Sequence, residues 1–191
     1  MTGNYLGDPM AFLINTLVGL YILAIMLRFL LQWFRADFYN PISQVLVKIT
    51  HPVLRPMRRV IPSAGRIDTA SIVLMVLLQF AALWLVFSIQ GRVPGTGALL
   101  ALSAWELVNL LLNVFLFATI IRIVLSWVNP GAHHPAISIL DSLTDPLLTP
   151  LRRVIPSAGG LDFSPMIVIF GIMFLKMLLR PIFLDVARMM A

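Results

Sequence analysis

The sequence predicts an all-α membrane protein with four transmembrane helices, arranged as two parallel repeats of helix, amphipathic loop and helix. Three observations predict it: the overall hydropathy, four long apolar segments and an internal duplication. Of 191 residues, 60% are hydrophobic and 12% charged, and the mean hydropathy is +0.96. Soluble domains are about 45–50% apolar and about 25% charged. The composition therefore excludes a water-soluble globular domain, and it also excludes a disordered chain, which needs low hydrophobicity.

The apolar segments predict spans at about 10–34, 69–90, 104–128 and 165–184. Each is long enough to cross a hydrocarbon core of about 30 Å, which takes roughly 20 helical residues. The third apolar run already begins at residue 98, but the internal repeat aligns Met10 with Ala104 and places the span there. Strands of about 10 residues with alternating polarity, typical of a membrane β-barrel, are absent from the sequence.

An offset of 94 residues superimposes the two halves of the sequence without a gap. Residues 52–65 match residues 146–159 at 11 of 14 positions. The register predicts a first repeat at 1–90, a Gly/Pro linker at 91–97 and a second repeat at 98–191. Since each repeat carries two spans, we expect a pseudo-twofold axis along the membrane normal.

The loop between the paired spans has an amphipathic pattern. In the first repeat, Pro41 begins a short helix, Pro52 is expected to break it and start a second short helix, and Pro62 ends that one. Thr50 is then placed in the cap of the second short helix, and Asp68 caps the next span. The second loop repeats this pattern 94 residues later, with Thr144 in the place of Thr50.

The basic residues predict the orientation in the membrane. Eight basic residues lie in the two loops, and only two or three lie on the opposite side of the membrane. In membrane proteins, the loops enriched in Lys and Arg are the cytoplasmic ones. We expect both loops to be cytoplasmic and both termini to lie on the outer side of the membrane. The eight loop residues are Arg35, Lys48, Arg55, Arg58, Arg59, Arg66, Arg152 and Arg153.

Two interpretations fit the paired arginines of the loops. In the first, four guanidinium groups near the pseudo-twofold axis bind an anion or a lipid headgroup in bidentate fashion. In the second, they only satisfy the positive-inside rule and touch anionic headgroups non-specifically. The duplicated spacing between prolines favours a specific site, because topology alone requires charge and no fixed spacing. The four residues are Arg58, Arg59, Arg152 and Arg153.

Arg28 and Arg122 lie five residues before a tryptophan near the loop-side end of their spans. One interpretation is snorkelling of the guanidinium beside an aromatic belt. The other is a structural ion pair with Asp68 or Asp162 at the start of the following helix, which would close each helical hairpin.

Several polar residues lie inside the spans. Asn15 and its repeat partner Asn109 are expected to face the bundle interior and hydrogen-bond across helices, with a polar pore lining as the alternative. Glu106 has no counterpart in the first repeat, and its register predicts interfacial exposure near the outer end of its span.

Lys176 and Arg180 lie one turn apart in the fourth span. Lys176 is about 17 Å from the start of that span, near mid-membrane, where an ionisable residue is a functional hypothesis by default. The alternative is that both side chains snorkel outward, helped by a helix break at Pro181.

The sequence offers no catalytic, metal or cofactor constellation. It contains no cysteine, and His51, His133 and His134 lie in non-equivalent loops without suitably spaced partners. We therefore expect a non-enzymatic protein that requires no cofactor. Nucleic acid is not an expected partner, because the chain has no long basic tail or aromatic-basic platform.

The element Pro-x-x-x-Pro-x-Arg-Arg-Val-Ile-Pro-Ser-Ala-Gly-x-x-Asp begins at Pro52 and again at Pro146. This doubled element resembles the YggT family of bacterial inner-membrane proteins, which is related to the YlmG proteins of Gram-positive bacteria and plastids. The two-repeat form is similar to the proteobacterial members. The resemblance implies a link to potassium uptake and osmotic-shock tolerance, or to cell division and membrane-complex biogenesis, and it supplies no catalytic residues.

Two functional hypotheses follow. The first is a small transport or transport-accessory protein in ion homeostasis, which four spans would complete only as a homo-oligomer or with a membrane-protein partner. The second is a non-enzymatic membrane scaffold or assembly factor that uses the loop surface. Both include membrane lipids with anionic headgroups as partners at the cytoplasmic face.

Overall fold

The computed structural model describes residues 7–65, 67–128, 134–155 and 162–191, and these residues form six α-helices. Four of the helices are long and apolar enough to cross a membrane. The described residues contain no β-strand. The predicted all-α class with four spans is therefore confirmed. The helices are α1 (Gly7–Trp33), α2 (Pro41–Val60), α3 (Thr69–Ile89), α4 (Thr96–Val128), α5 (Pro135–Val154) and α6 (Ser164–Met189).

The prediction of two short helices in each loop is wrong, because α2 and α5 each run unbroken for 20 residues. In α2 the prolines Pro52 and Pro56 are one turn apart, and both lie on the exposed side. Each removes one backbone hydrogen bond, but on this side the freed carbonyls can meet water or headgroups. The opposite side is fixed by packing, since Thr50 and Leu54 are fully buried. Burial of that face keeps the helix intact.

Local sequence sets the ends of α2. The Asn40 side chain accepts a hydrogen bond from the backbone N–H of Ile42 at 3.0 Å, and Pro41 occupies the first turn, where its missing N–H costs nothing. After the helix, Gly65 adopts a φ of +61°, a conformation that glycine reaches without the strain that a side chain would cause. The equivalent turn of the second repeat lies outside the described residues.

On the side away from the loops, the helices α4 and α6 extend beyond the predicted spans. Helix α4 begins at Thr96 instead of residue 104, and α6 passes through Pro181 and ends at Met189, so the predicted break at Pro181 is wrong. Small residues explain the extension, because Ala98 and Ala101 of α4 pack against Ala187 of α6 in a buried cluster.

The main hydrophobic core crosses the boundary between the repeats. It combines residues of α1 to α5, including the fully buried Ile22 and Ile25 and the nearly buried Leu143 of α5. A hydrogen bond of 2.7 Å from the Asn40 amide to the carbonyl oxygen of Pro135 joins the starts of α2 and α5. The two amphipathic helices therefore share one side of the bundle, beneath the spans.

Candidate functional site

In both repeats, an arginine of the first span donates a hydrogen bond to a threonine of the amphipathic helix. The Arg28 guanidinium donates to Thr50 Oγ1 at 2.7 Å, and Arg122 donates to Thr144 Oγ1 at 3.0 Å. Each threonine hydroxyl also donates to a backbone carbonyl one turn earlier, at 2.7 Å. Both hydroxyls are fully buried. These bonds attach α2 to α1 and α5 to α4.

Of the two interpretations of Arg28 and Arg122, the ion pair with Asp68 or Asp162 is not the contact that the structure forms. Asp68 is instead bonded by Arg58, which approaches through Nε at 3.3 Å and forms an ion pair through Nη2. In the second repeat, Arg152 Nε contacts Asp162 at 2.8 Å. The last turn of each amphipathic helix lies nearer to the aspartate than the preceding span does, so its arginine takes the carboxylate.

These ion pairs change the interpretation of the paired arginines. Arg58 and Arg152 each hold the end of an amphipathic helix to the start of the next span, so they do not offer four free guanidinium groups together. Arg59 and Arg153 are exposed, and they form no ion pair within the described residues. Headgroup binding by Arg59 and Arg153 stays a prediction.

Hydrogen bonding lowers the pKa of both aspartates. Burial alone raises the pKa of the Asp68 carboxyl, but the hydrogen bonds from Arg58 and from the Ser71 hydroxyl outweigh it, and the pKa falls below 3.8. For Asp162, burial is likewise outweighed by Arg152 and by the backbone N–H of Ser164, and the pKa is again lowered. Both carboxyl groups are therefore ionised at neutral pH.

A polar cleft of about 350 Å³ lies between the membrane-spanning helices α4 and α6. The Lys176 ammonium donates to the Asn113 side-chain oxygen at 2.7 Å across the two helices. Glu106 and Asn109 line the cleft from α4, and Arg180 lines it from α6. Two cationic side chains and one carboxylate therefore border one space between these spans.

The Lys176–Asn113 bond lies near the middle of the two helices that it joins. Lys176 is 12 residues from the start of α6, which is about 18 Å along the helix. Asn113 precedes Arg122, at the loop-side edge, by nine residues or about 14 Å. Lys176 thus bonds a neighbouring helix near mid-membrane, and the interpretation that it snorkels outward is wrong. The equivalent positions of the first repeat are Gly19 and Ala82, so this bond belongs to one repeat only.

Sequence reasoning missed Asn113, although a signal was present. Glu106, Asn109 and Asn113 are spaced i, i+3 and i+7, which places them on one helical face. The expectation for Asn15 is also not met, because Asn15 is exposed and makes no side-chain hydrogen bond within the described residues. The described residues contain no group of His, Asp and Glu that would hold a metal ion.

The fold, the duplicated arginine contacts and the charged cleft define a polytopic α-helical membrane protein built from two homologous repeats. The family model described as CCB3/YggT matches this chain twice, at residues 8–89 and 101–183. The chain belongs to the CCB3/YggT family, which confirms the resemblance.

Bacterial relatives align with most of the chain, and a plant relative aligns with a shorter segment. It is 42% identical over 170 residues to an uncharacterized protein of Pseudomonas aeruginosa, an alignment covering 87% of this chain and 86% of that protein. It is 38% identical over 162 residues to the uncharacterized protein YggT of Escherichia coli K12, covering 85% and 84%. A segment of 74 residues is 36% identical to YlmG homolog protein 2, chloroplastic, of Arabidopsis thaliana, covering 39% and 29%. No solved structure matches the chain.

The lowered pKa of Asp68 predicts acid sensitivity. The ionised Asp68 carboxylate stabilises the folded protein above pH 3.8, the ordinary pKa of an aspartate. This stabilisation is lost as the pH falls through the lower pKa of the folded state. Replacing Asp68 with Asn should therefore lower the free energy of unfolding by about 1–3 kcal/mol at pH 7 and flatten its decline between pH 5 and pH 3. Thermal unfolding in detergent across this range measures both effects.

The control for this measurement is Asp185→Asn. Among the residues that the structure describes, Asp185 pairs only with the exposed Arg188 on the same helix, and such surface pairs contribute little. An Asp68→Asn variant whose pH profile matched that of the wild type would contradict the assigned role of Asp68.

Proposed function

We propose that this protein is a bacterial inner-membrane protein that supports potassium homeostasis and osmotic-stress tolerance, as a small transport or transport-accessory protein. The functional element is the cleft between α4 and α6. The observation that carries the proposal is the bond from Lys176 to Asn113 near mid-membrane. The link to potassium and osmotic stress comes from the resemblance to proteobacterial family members.

The energetics of a charged group in a membrane support a functional role for the cleft. An ionisable residue near the centre of a span is costly, and it is usually retained where it lines a pathway or binds a ligand. Lys176 here has an amide partner, a neighbouring carboxylate on Glu106 and space beside it for several water molecules. A residue kept only for packing would need none of these.

The charge in the cleft favours an accessory role over a potassium pore formed by this cleft alone. Lys176 and Arg180 outnumber Glu106, so the cleft repels a bare cation. A potassium pathway would require additional carboxylate or carbonyl oxygens from a second copy or from a partner transporter. The second hypothesis, a non-enzymatic scaffold, stays a prediction, and measurements of potassium retention separate the two.

The proposed orientation places α2, α5 and the loop arginines in the cytoplasm. Because the chain has no cysteine, single-cysteine variants can be labelled without background. In intact cells, an impermeant thiol reagent should label Val93→Cys, beyond the outer end of α3, and should label Ser63→Cys only after permeabilisation. If the reagent instead labels only Ser63→Cys in intact cells, the orientation is the reverse of the one proposed.

The proposed role predicts the effect of replacing Lys176. In cells that lack the protein, potassium retained after osmotic upshift should be restored by the wild-type chain and by Asn15→Leu. Lys176→Leu should restore little of it, because the substitution removes the charge from the cleft. Asn15→Leu is the matched control: it also replaces a polar residue of a span with leucine, but outside the cleft.

Two outcomes would contradict the proposal. Full restoration by Lys176→Leu would show that the cleft is not required for the function. Normal potassium retention in cells without the protein would show that the protein has no role in potassium homeostasis. Potassium flux into liposomes containing only the purified protein distinguishes a transporter, which gives flux, from an accessory, which gives none.

A further inference from the structure

A second cavity, of about 350 Å³, lies on the loop side of the first repeat, between the end of α1 and helix α2. Arg28, Arg35 and Arg58 line it together with Ser43 and Val47. Three arginines thus line one small space, and one of them, Arg58, is paired with Asp68. This cavity is distinct from the cleft between α4 and α6, and its residues do not overlap with that cleft.

Two buried polar groups in the cavity wall lack the partners that burial normally requires. Arg28 is only 8% exposed and forms no ion pair within the described residues; its hydrogen bond to Thr50 uses one of the five N–H donors of a guanidinium. Ser43 is 6% exposed, and its hydroxyl makes no hydrogen bond in the part of the chain that the structure describes. Buried polar groups of this kind are usually bonded, so both point to a ligand.

The second repeat contains the partners that the first repeat lacks. Arg122, the counterpart of Arg28, contacts Asp141 Oδ1 at 2.9 Å and Asp145 Oδ1 at 2.8 Å. In the first repeat, Val47 stands at the position of Asp141, and His51 at that of Asp145. In the second repeat, Arg122 is therefore bonded by two carboxylates. In the first repeat, its counterpart Arg28 lines an open cavity.

The backbone at Arg35 adds an independent observation. The N–H groups of Arg35 and Ala36 bond back to the carbonyls of Gln32 and Leu31 at 3.3 and 2.9 Å, and Arg35 has a φ of +55°. This helix-ending geometry normally carries glycine, because a side chain is strained there. Arginine therefore lines the cavity at this position despite that strain.

We propose that this cavity is an oxyanion site for a phosphate group, bound by Arg28 and Arg35 with Ser43 as a further donor. Arg58 stays paired with Asp68 and adds positive charge to the cavity wall. The phosphate oxygens take the place that the Asp141 and Asp145 carboxylates occupy around Arg122. Arginine suits this chemistry, because its planar guanidinium binds phosphate oxygens in bidentate fashion. The phosphate comes from a phospholipid headgroup at the membrane surface or from a free phosphate in solution.

Thermal unfolding of the purified full chain in detergent tests the site and distinguishes the two sources. One series adds inorganic phosphate at constant ionic strength, balanced with chloride. The other adds short-chain phosphatidylglycerol, with phosphatidylcholine for comparison. A ligand that binds the folded state raises the unfolding midpoint in a saturable way. We expect such a rise with at least one probe: with phosphatidylglycerol alone for a headgroup site, and with both for a site open to free phosphate.

Two variants should weaken or abolish phosphate binding while the protein stays folded. Arg35→Gly relieves the backbone strain and should leave the unligated midpoint unchanged or higher, while weakening binding about tenfold or more. Val47→Asp supplies an internal carboxylate, as Asp141 does in the second repeat, and should abolish the response. Arg153→Gln removes one positive charge from the same side of the molecule, outside the cavity, and should keep the wild-type response.

The proposal is overturned if neither probe raises the midpoint beyond its control. It is also overturned if Arg35→Gly and Val47→Asp respond as the wild type does, because the binding would then reflect general positive charge. The cavity does not include Lys176 or Asn113, so either result leaves the proposed role of the α4–α6 cleft to be judged separately.

Discussion

The hydrogen bond between a span arginine and an amphipathic-helix threonine is the contact on which the architecture depends. It occurs once in each repeat, as Arg28 with Thr50 and Arg122 with Thr144. A guanidinium at the edge of the hydrocarbon core needs hydrogen-bond acceptors, and a buried threonine hydroxyl needs a donor. The bond gives the guanidinium one acceptor and the threonine oxygen one donor, and it holds a 20-residue amphipathic helix beneath its span. The ion pairs of Arg58 with Asp68 and Arg152 with Asp162 then attach the far end of that helix to the next span.

The two repeats keep this frame and differ in how they compensate charge. The second repeat neutralises Arg122 with two carboxylates of its own, and it carries the Lys176–Asn113 bond inside the membrane. The first repeat has apolar or small residues at the positions of that bond, and it keeps an open cavity beside Arg28. Duplication therefore supplied one scaffold with two distinct polar features, one within the membrane and one at the loop-side surface.

The features that the sequence predicted well are those that repeat along the chain. Hydropathy over 20 residues identifies a span, and an ungapped offset of 94 residues identifies the duplication whatever the tertiary contacts are. The continuity of α2 was missed because the proline rule treats a helix in isolation. Here Pro52 and Pro56 share the exposed side while Leu54 is fully buried on the other. The partner of Asp68 was missed because chain order does not reveal whether Arg28 or Arg58 lies closer in space.

A double-mutant cycle on Arg28 and Thr50 tests the central claim most directly. The free energy of unfolding in lipid nanodiscs is measured for the wild type, Arg28→Gln, Thr50→Val and the double variant. If the bond holds α2 beneath α1, the two substitutions are non-additive, with a coupling energy of about 0.5–3 kcal/mol. Additive effects within about 0.3 kcal/mol would show that the two side chains stabilise the protein independently, and would contradict the account.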